Sequence, residues 1–280
     1  MSGQHRHYRH PDGSRDEDPL IYARPQLSLV PLRHTKIIHF IRHAQGFHNI
    51  NHEDDIFDAH LTEYGWKQAA TVGQHIDSLG SLNFRCQAVV TSPLTRTLET
   101  TAGIFGKPWK EGDGDPLFVG QTAAKGERAA QKPLTAINCC PPKIIVWEGC
   151  REHLGPNLCD KRRRISEVAP SFPAMDFSLC QSDKDALWSP KKEEKEAVKH
   201  RGLELARWLM HRPEREIAVV SHSVFLLYFM SNFGHSASIK VQGEMHRWFE
   251  NCEMRTLVLS DESGVNQEPC PLHFHGGHTV

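Results

Sequence analysis

Three short stretches of this chain run from apolar residues into residues that can hold or attack an anion. KIIHFIRH (36–43) closes on Arg42 and His43, QAVVTSPLTR (87–96) passes Ser92 and reaches Arg96, and EIAVVSHS (216–223) closes on Ser221, His222 and Ser223. Each opens as a β-branched, apolar run, the pattern of a strand buried on both faces. In an open α/β sheet, ligands bind outside the carboxyl ends of the strands. Two guanidinium groups and two imidazoles gathered there, beside helix N-termini, make a site for a dianion. Singly, each residue has an ordinary structural reading, a hydrogen-bonded core histidine or a solvated arginine. Their joint occurrence at successive strand ends favours chemistry.

The elements that would position these residues alternate along the chain. LTEYGWKQAATVGQHIDSL (61–79) predicts a helix capped by Thr62, with Leu61, Tyr64, Ala69, Val72, Ile76 and Leu79 along its inner stripe. PLTRTLETTAGIF (93–105) predicts a second, with Pro93 in its first turn. KIIVWEG (143–149) and RTLVLS (255–260) read as strands. KEEKEAVKHRGLELARWLM (192–210) reads as a charged helix burying Val198, Leu205, Ala206 and Leu209, and VFLLYFMSNF as a buried one. This order predicts an α/β fold, a three-layer sandwich with a mainly parallel central sheet covered by helices on both faces. A single domain is expected over 31–265, with insertions at about 106–142 and 156–190 and poorly ordered tails at 1–30 and 266–280.

Composition narrows the function classes. The 280 residues are 39% hydrophobic and 24% charged with a net charge of -1, which gives no electrostatic case for nucleic acid or an anionic membrane as partner. No run approaches the ~18 apolar residues of a membrane span, and MSGQHRHYRHPDGSRDEDP lacks the apolar core of a secretory signal. Eight cysteines without a C-x-x-C pair read as reduced thiols, so the expected location is cytoplasmic. The expected partner is a small phosphorylated substrate, and the oligomeric state is not encoded legibly. His5, His7 and His10 read as parts of a solvated tail rather than metal ligands.

Four motifs in order, RHAQGFHN, LTEYGWKQA, SPLTRTLET and VVSHS, resemble the signatures of the histidine phosphatase superfamily in its phosphoglycerate-mutase-like branch. CREHLGPNLCDKRR looks like the acid-bearing segment of some fungal and plant members, and the resemblance spans residues 36 to about 260. It implies a phosphoglycerate-mutase-like domain in which His43 is the nucleophile and becomes a phosphohistidine. Arg42, Arg96 and His222 then bind phosphoryl oxygens, and Asn49 adds a neutral donor. Glu152 is the expected proton donor to the leaving group, with Glu148 as its competitor. Gly46 and Ser223 fall at substrate-facing positions. No metal or cofactor is implied.

The departures direct the choice of reaction. Ala44 and Ser223 stand where the family commonly has glycine, and Gly46 stands where mutases commonly carry a serine that touches substrate. A metal-independent phosphatase is therefore the leading expectation. The alternatives are mutase-type transfer, or an altered pocket serving as an anion-binding module or a redirected biosynthetic enzyme. The basic run Lys161 to Arg164 reads either as a contact for further substrate anions or as a solvated loop. Trp147, Phe47 and His48 read either as an organic wall of the pocket or as ordinary packing.

Overall fold

The computed structural model describes residues 29–50, 54–108, 117–119, 134–136 and 143–261. The elements are β1 (Thr35–Arg42), α1 (Glu63–Asn83), β2 (Ala88–Thr91), α2 (Thr95–Phe105), β3 (Gly106–Pro108), β4 (Leu134–Ala136) and β5 (Lys143–Trp147). There follow α3 (Ile165–Val168), β6 (Met175–Leu179), α4 (Lys195–Met210), β7 (Glu216–Ser221), α5 (Ser223–Met230), α6 (Ile239–Met245) and β8 (Met254–Ser260). Six strands form one sheet in the order β6-β5-β2-β7-β1-β8. All neighbours pair in parallel except β8, which runs antiparallel to β1 at the edge.

Alternation along the strands divides the core into two layers. Ile41, Val89, Ile144 and Val220 point to one face, against Trp66 and Ala69 of α1 and Leu98 and Ala102 of α2. Ile38, Phe40, Val90 and Val219 point to the other, against Val198, Leu205 and Leu209 of α4 and Phe225 and Phe229 of α5. The three-layer α/β sandwich read from the sequence is the observed fold. Fully burying one such side chain contributes about 1.5–3 kcal/mol, so both layers act as stiff supports for the strand ends. Helices α1 and α2 approach closely enough that a Cβ on Gly73 would lie 2.5 Å from the Ile104 carbonyl oxygen. No helix among the described residues is long and apolar enough to cross a membrane.

Local details differ from the pattern. Tyr64 is 59% exposed, and Trp66 takes the inward place at the start of α1. The Thr62 cap is as expected, its Oγ1 accepting from Gly65 N at 2.9 Å. Helix α2 starts at Thr95, leaving Pro93 outside it, because the Asp58 carboxylate caps it from another segment: Thr95 N and Oγ1 both donate to it at 2.8 Å. The stretch 156–190, read as irregular, supplies α3 and the edge strand β6. From 106–142 the short antiparallel pair β3–β4 is described. The tails at 1–28 and 262–280, with the His5, His7 and His10 group, lie outside the described residues.

Candidate active site

Sheet register brings the predicted residues together. Arg42 is level with Ser221 across β1 and β7, while Thr91 of β2 is level with Val220. The residues that follow therefore emerge side by side: His43 N donates to Ser221 O at 2.9 Å, and Ser92 N to Val220 O at 3.2 Å. The His43 ring is 2% exposed, with Nδ1 2.8 Å from the Ala44 carbonyl oxygen. A carbonyl only accepts, so that bond places the proton on Nδ1 and leaves the lone pair on Nε2. Burial, then the charges of Arg96, His48 and Arg42, hold His43 well below the usual imidazole range, so the ring is neutral near pH 7. The rings of His222 and His48 lie 5.3 and 5.4 Å away, centroid to centroid.

Both expected arginines face this group. Arg42 Nη1 donates to Phe249 O at 2.7 Å. Burial lowers the pKa of its guanidinium, against the opposing charges of Glu152 and Glu250. Arg96, in the first turn of α2, is 1% exposed. It donates through Nη1 to Cys159 O at 2.6 Å and through Nη2 to Asp160 Oδ1 at 2.8 Å. Burial raises the Asp160 carboxyl, Arg96 pulls it back, and the nearby Glu152 charge pushes it up again. His222 precedes α5, with Nε2 2.8 Å from Ser92 Oγ. Four buried polar atoms here have no hydrogen-bond partner: Arg42 Nε, Arg96 Nε, His48 Nδ1 and His222 Nδ1. Each such atom costs about 1–3 kcal/mol unless something bonds it, and an oxyanion is a ligand whose several lone pairs suit such a group of nitrogens.

Glu152 is 7% exposed and sits at the start of α5. Its carboxylate accepts from Phe225 N and His153 N at 2.9 Å each and from Val224 N at 3.2 Å, with Ser223 Oγ 3.5 Å away. Its competitor Glu148 is committed elsewhere, paired with Arg151 at 3.0 Å and Arg162 at 2.8 Å. Among the described residues no group of three or more histidine, cysteine or carboxylate side chains is arranged to hold a metal ion.

Residues 38–111 match the model of the histidine phosphatase superfamily (branch 1). Phosphoglycerate mutase-like protein 2 of Arabidopsis thaliana is 38% identical over 289 residues, covering 91% of this chain and 82% of that protein. Phosphoglycerate mutase-like protein 1 of the same plant is 39% identical over 261 residues, covering 89% of this chain and 90% of its own. The chain belongs to the histidine phosphatase superfamily, in its phosphoglycerate-mutase-like branch. Its chemistry is accordingly phosphoryl transfer.

The superfamily positions that depart from pattern are accommodated without strain. Among the described residues the non-glycine positions with positive φ are Asp58 and Cys252, so neither Ala44 nor Ser223 occupies a conformation reserved for glycine. Ala44 N donates to Thr100 Oγ1 at 3.0 Å. Asn49 Oδ1 accepts from Gly46 N at 3.0 Å and from Asn251 Nδ2 at 3.3 Å, which ties the turn after His43. Gly46 is also bridged to Leu61. The basic run is mostly internal: Arg162 is 2% exposed and donates to Glu148, Ser182 O and Asp183 O, and Arg163 pairs with Asp58 at 3.1 Å. Lys161 lies over the Trp188 ring at 4.5 Å, and the half-exposed Arg164 pairs with Asp183 at 3.3 Å.

Sequence reasoning gave no site role to Asp160, or to the segment 249–253. That segment braces His43 from behind: Cys252 N and Asn251 Nδ2 donate to His43 O at 3.1 and 3.2 Å, and Arg42 N donates to Glu253 O at 3.1 Å. The C-D pair before the basic run was the one visible hint of Asp160. Nothing local in the sequence marks 249–253, whose partners lie about 200 positions earlier.

Proposed function

We propose that this protein is a phosphatase that hydrolyses a phosphate monoester through a phosphohistidine on Nε2 of His43. The observation that carries the reading is the His43 Nδ1 bond to Ala44 O, which aims a neutral Nε2 into a pocket where Arg42, Arg96 and His222 hold unpartnered nitrogens. The Nε2 lone pair attacks phosphorus as the ester P–O bond breaks. Glu152 gives the departing alkoxide its proton, and an ester entering as the monoanion brings that proton with it. Water then attacks the phosphohistidine, Glu152 takes the proton of that water, and the P–N bond breaks to restore neutral His43. Arg42 and Arg96 neutralise the phosphoryl oxygens through both steps, as metal ions do in other phosphoryl transferases.

The test is phosphate release from 4-nitrophenyl phosphate, with and without EDTA. His43→Ala is expected to lower kcat by on the order of 10^4-fold or more. Rapid quenching of wild type should trap an acid-labile, base-stable phosphohistidine. Full turnover in His43→Ala sinks the proposal. The names of the Arabidopsis relatives suggest a second reading, mutase-type transfer between hydroxyls of one phosphoglycerate. Gly46 offers no side-chain hydroxyl to hold such a substrate, which favours hydrolysis. Isomerisation of 3-phosphoglycerate without phosphate release would reverse that preference.

A further inference from the structure

The imidazole of His48 has no part in the mechanism above, yet it stands at the nucleophile. Its 3-10 turn (Phe47–Asn49) follows Gly46 and is pinned by the Gly46 N to Asn49 Oδ1 bond at 3.0 Å. The side chain is buried at 8% exposure, its ring is 5.4 Å from that of His43, and its Nδ1 has no hydrogen-bond partner. A Cβ on residue 46 would meet His48 Nδ1 at 2.7 Å and Cε1 at 2.8 Å, both inside the closest approach that carbon tolerates, with the His60 carbonyl oxygen a milder crowding at 3.2 Å. The ring edge thus fills the space a side chain at 46 would take. Burial, then the charges of Arg96 and Arg42, bring the ring pKa down to about 2, so it enters the pocket neutral, with one N–H to donate.

We propose that His48 is a substrate-contacting residue, its Nδ1–H donating to an oxygen of the phosphate ester, and that residue 46 is glycine because this ring occupies the space of its side chain. The inference rests on the reading of the pocket as a phosphoryl site. A neutral donor suits it: two arginines already supply charge, and an imidazole adds direction without adding a cation. It also defines the substrate class more closely. The contact that a residue-46 hydroxyl would make is replaced by a planar ring, which suits a phosphate ester with a flat or apolar leaving group over a compact polyhydroxy acid.

Binding of orthovanadate, a phosphate mimic, by titration calorimetry tests the contact apart from turnover. His48→Phe keeps a ring but removes both nitrogens, and its affinity is expected to fall about 10- to 100-fold, the range of one hydrogen bond to a charged ligand. His48→Asn places an amide nitrogen near the former Nδ1 and should recover most of that affinity. Gly46→Ala should displace the ring and mimic His48→Phe, while Gly46→Ala added to His48→Ala should cost little more, since the clashing ring is gone. Cooperative urea unfolding at midpoints close to that of wild type would show that the variants fold. With 1-naphthyl phosphate and 3-phosphoglycerate as paired substrates, kcat/KM should favour the naphthyl ester in wild type, and less so in His48→Phe. Unchanged affinity in His48→Phe, or no recovery in His48→Asn, overturns the role of His48 while leaving the phosphatase reading intact. Wild type that binds no orthovanadate overturns that reading, and this inference with it.

Discussion

Two sets of arginines, all buried except the half-buried Arg42, are built to opposite ends in this fold. Arg151 and Arg162 are committed to carboxylates and carbonyls, with only Nε of Arg151 left unpartnered. Arg151 holds Asp185 bidentately at 2.8 and 2.7 Å, reaches Glu148 at 3.0 Å, and donates to Asp160 O at 2.7 Å. Arg42 and Arg96 are left short. The Arg42 guanidinium makes one hydrogen bond among the described residues, to a carbonyl, and the charge of Arg96 meets the single carboxylate of Asp160. Their proton affinities reflect this. Burial lowers both, but Asp185 and Glu148 more than compensate for Arg151, while the more distant carboxylates do not compensate for Arg42. A buried cation without its full complement of acceptors is costly unless an anion arrives. The contrast separates arginines committed to buried carboxylates from arginines with capacity left for an anion, the use proposed for them above. Asp160 joins the two sets, its carboxylate on Arg96 and its carbonyl on Arg151.

Removing one arginine from each set should make the contrast quantitative. Arg151→Ala leaves Asp185 and Glu148 buried without their main partner and should cost about 3–5 kcal/mol of stability, read from the urea midpoint. Its activity per folded molecule should stay close to wild type. A loss under about 1 kcal/mol would show that this network is dispensable. Arg42→Ala should do the reverse, lowering kcat by about 10^2–10^3-fold with stability within about 1 kcal/mol of wild type. If Arg42→Ala instead unfolds the protein at no cost to residual turnover, the two sets are not different in kind.

The same contrast explains what was legible in the sequence. Strand ends are written locally, in apolar runs that stop at a polar residue, so Arg42, His43, Arg96 and His222 were all placed by pattern. Arginine partners are written at long range. Nothing in KRRR distinguishes the nearly fully buried Arg162 from the half-exposed Arg164, because their acceptors, Glu148, Ser182 and Asp183, come from elsewhere in the chain. Strand β6 was hidden for a related reason: it is short and at an edge, partly exposed, and carries little alternation. The Asp58 cap on α2 and the 249–253 brace behind His43 are likewise tertiary facts. His48 was noticed, but only its packing against Gly46 and its distance to His43 give it a place in the pocket.

The smallest expected effect comes from protons, and it divides the two regions by pH. Burial, reinforced by the pocket cations, excludes protons from three histidines: His43 and His222 lie well below the ordinary imidazole value of 6.5, and His48 lies at about 2. Unfolded, each titrates near 6.5, so below about pH 7.5 the unfolded chain binds more protons than the folded one, and stability falls as pH falls. At pH 6.5 the cost is about 0.4 kcal/mol for each, or about 1 kcal/mol together, and it grows with further acidification. The Arg151 region responds later. Burial raises the Asp185 carboxyl, but its bonds with Arg151 lower it further, to a value below the ordinary 3.8. Its stabilising contribution is present above that pH and is lost only as the pH falls through the folded-state value. Urea midpoints at pH 7.5 and 6.5 should therefore differ by about 1 kcal/mol in wild type, and by about a third less in His48→Asn. A midpoint that does not move between these pH values would mean that the pocket histidines are protonated in the folded protein, and a protonated His43 has no lone pair on Nε2 to attack phosphorus.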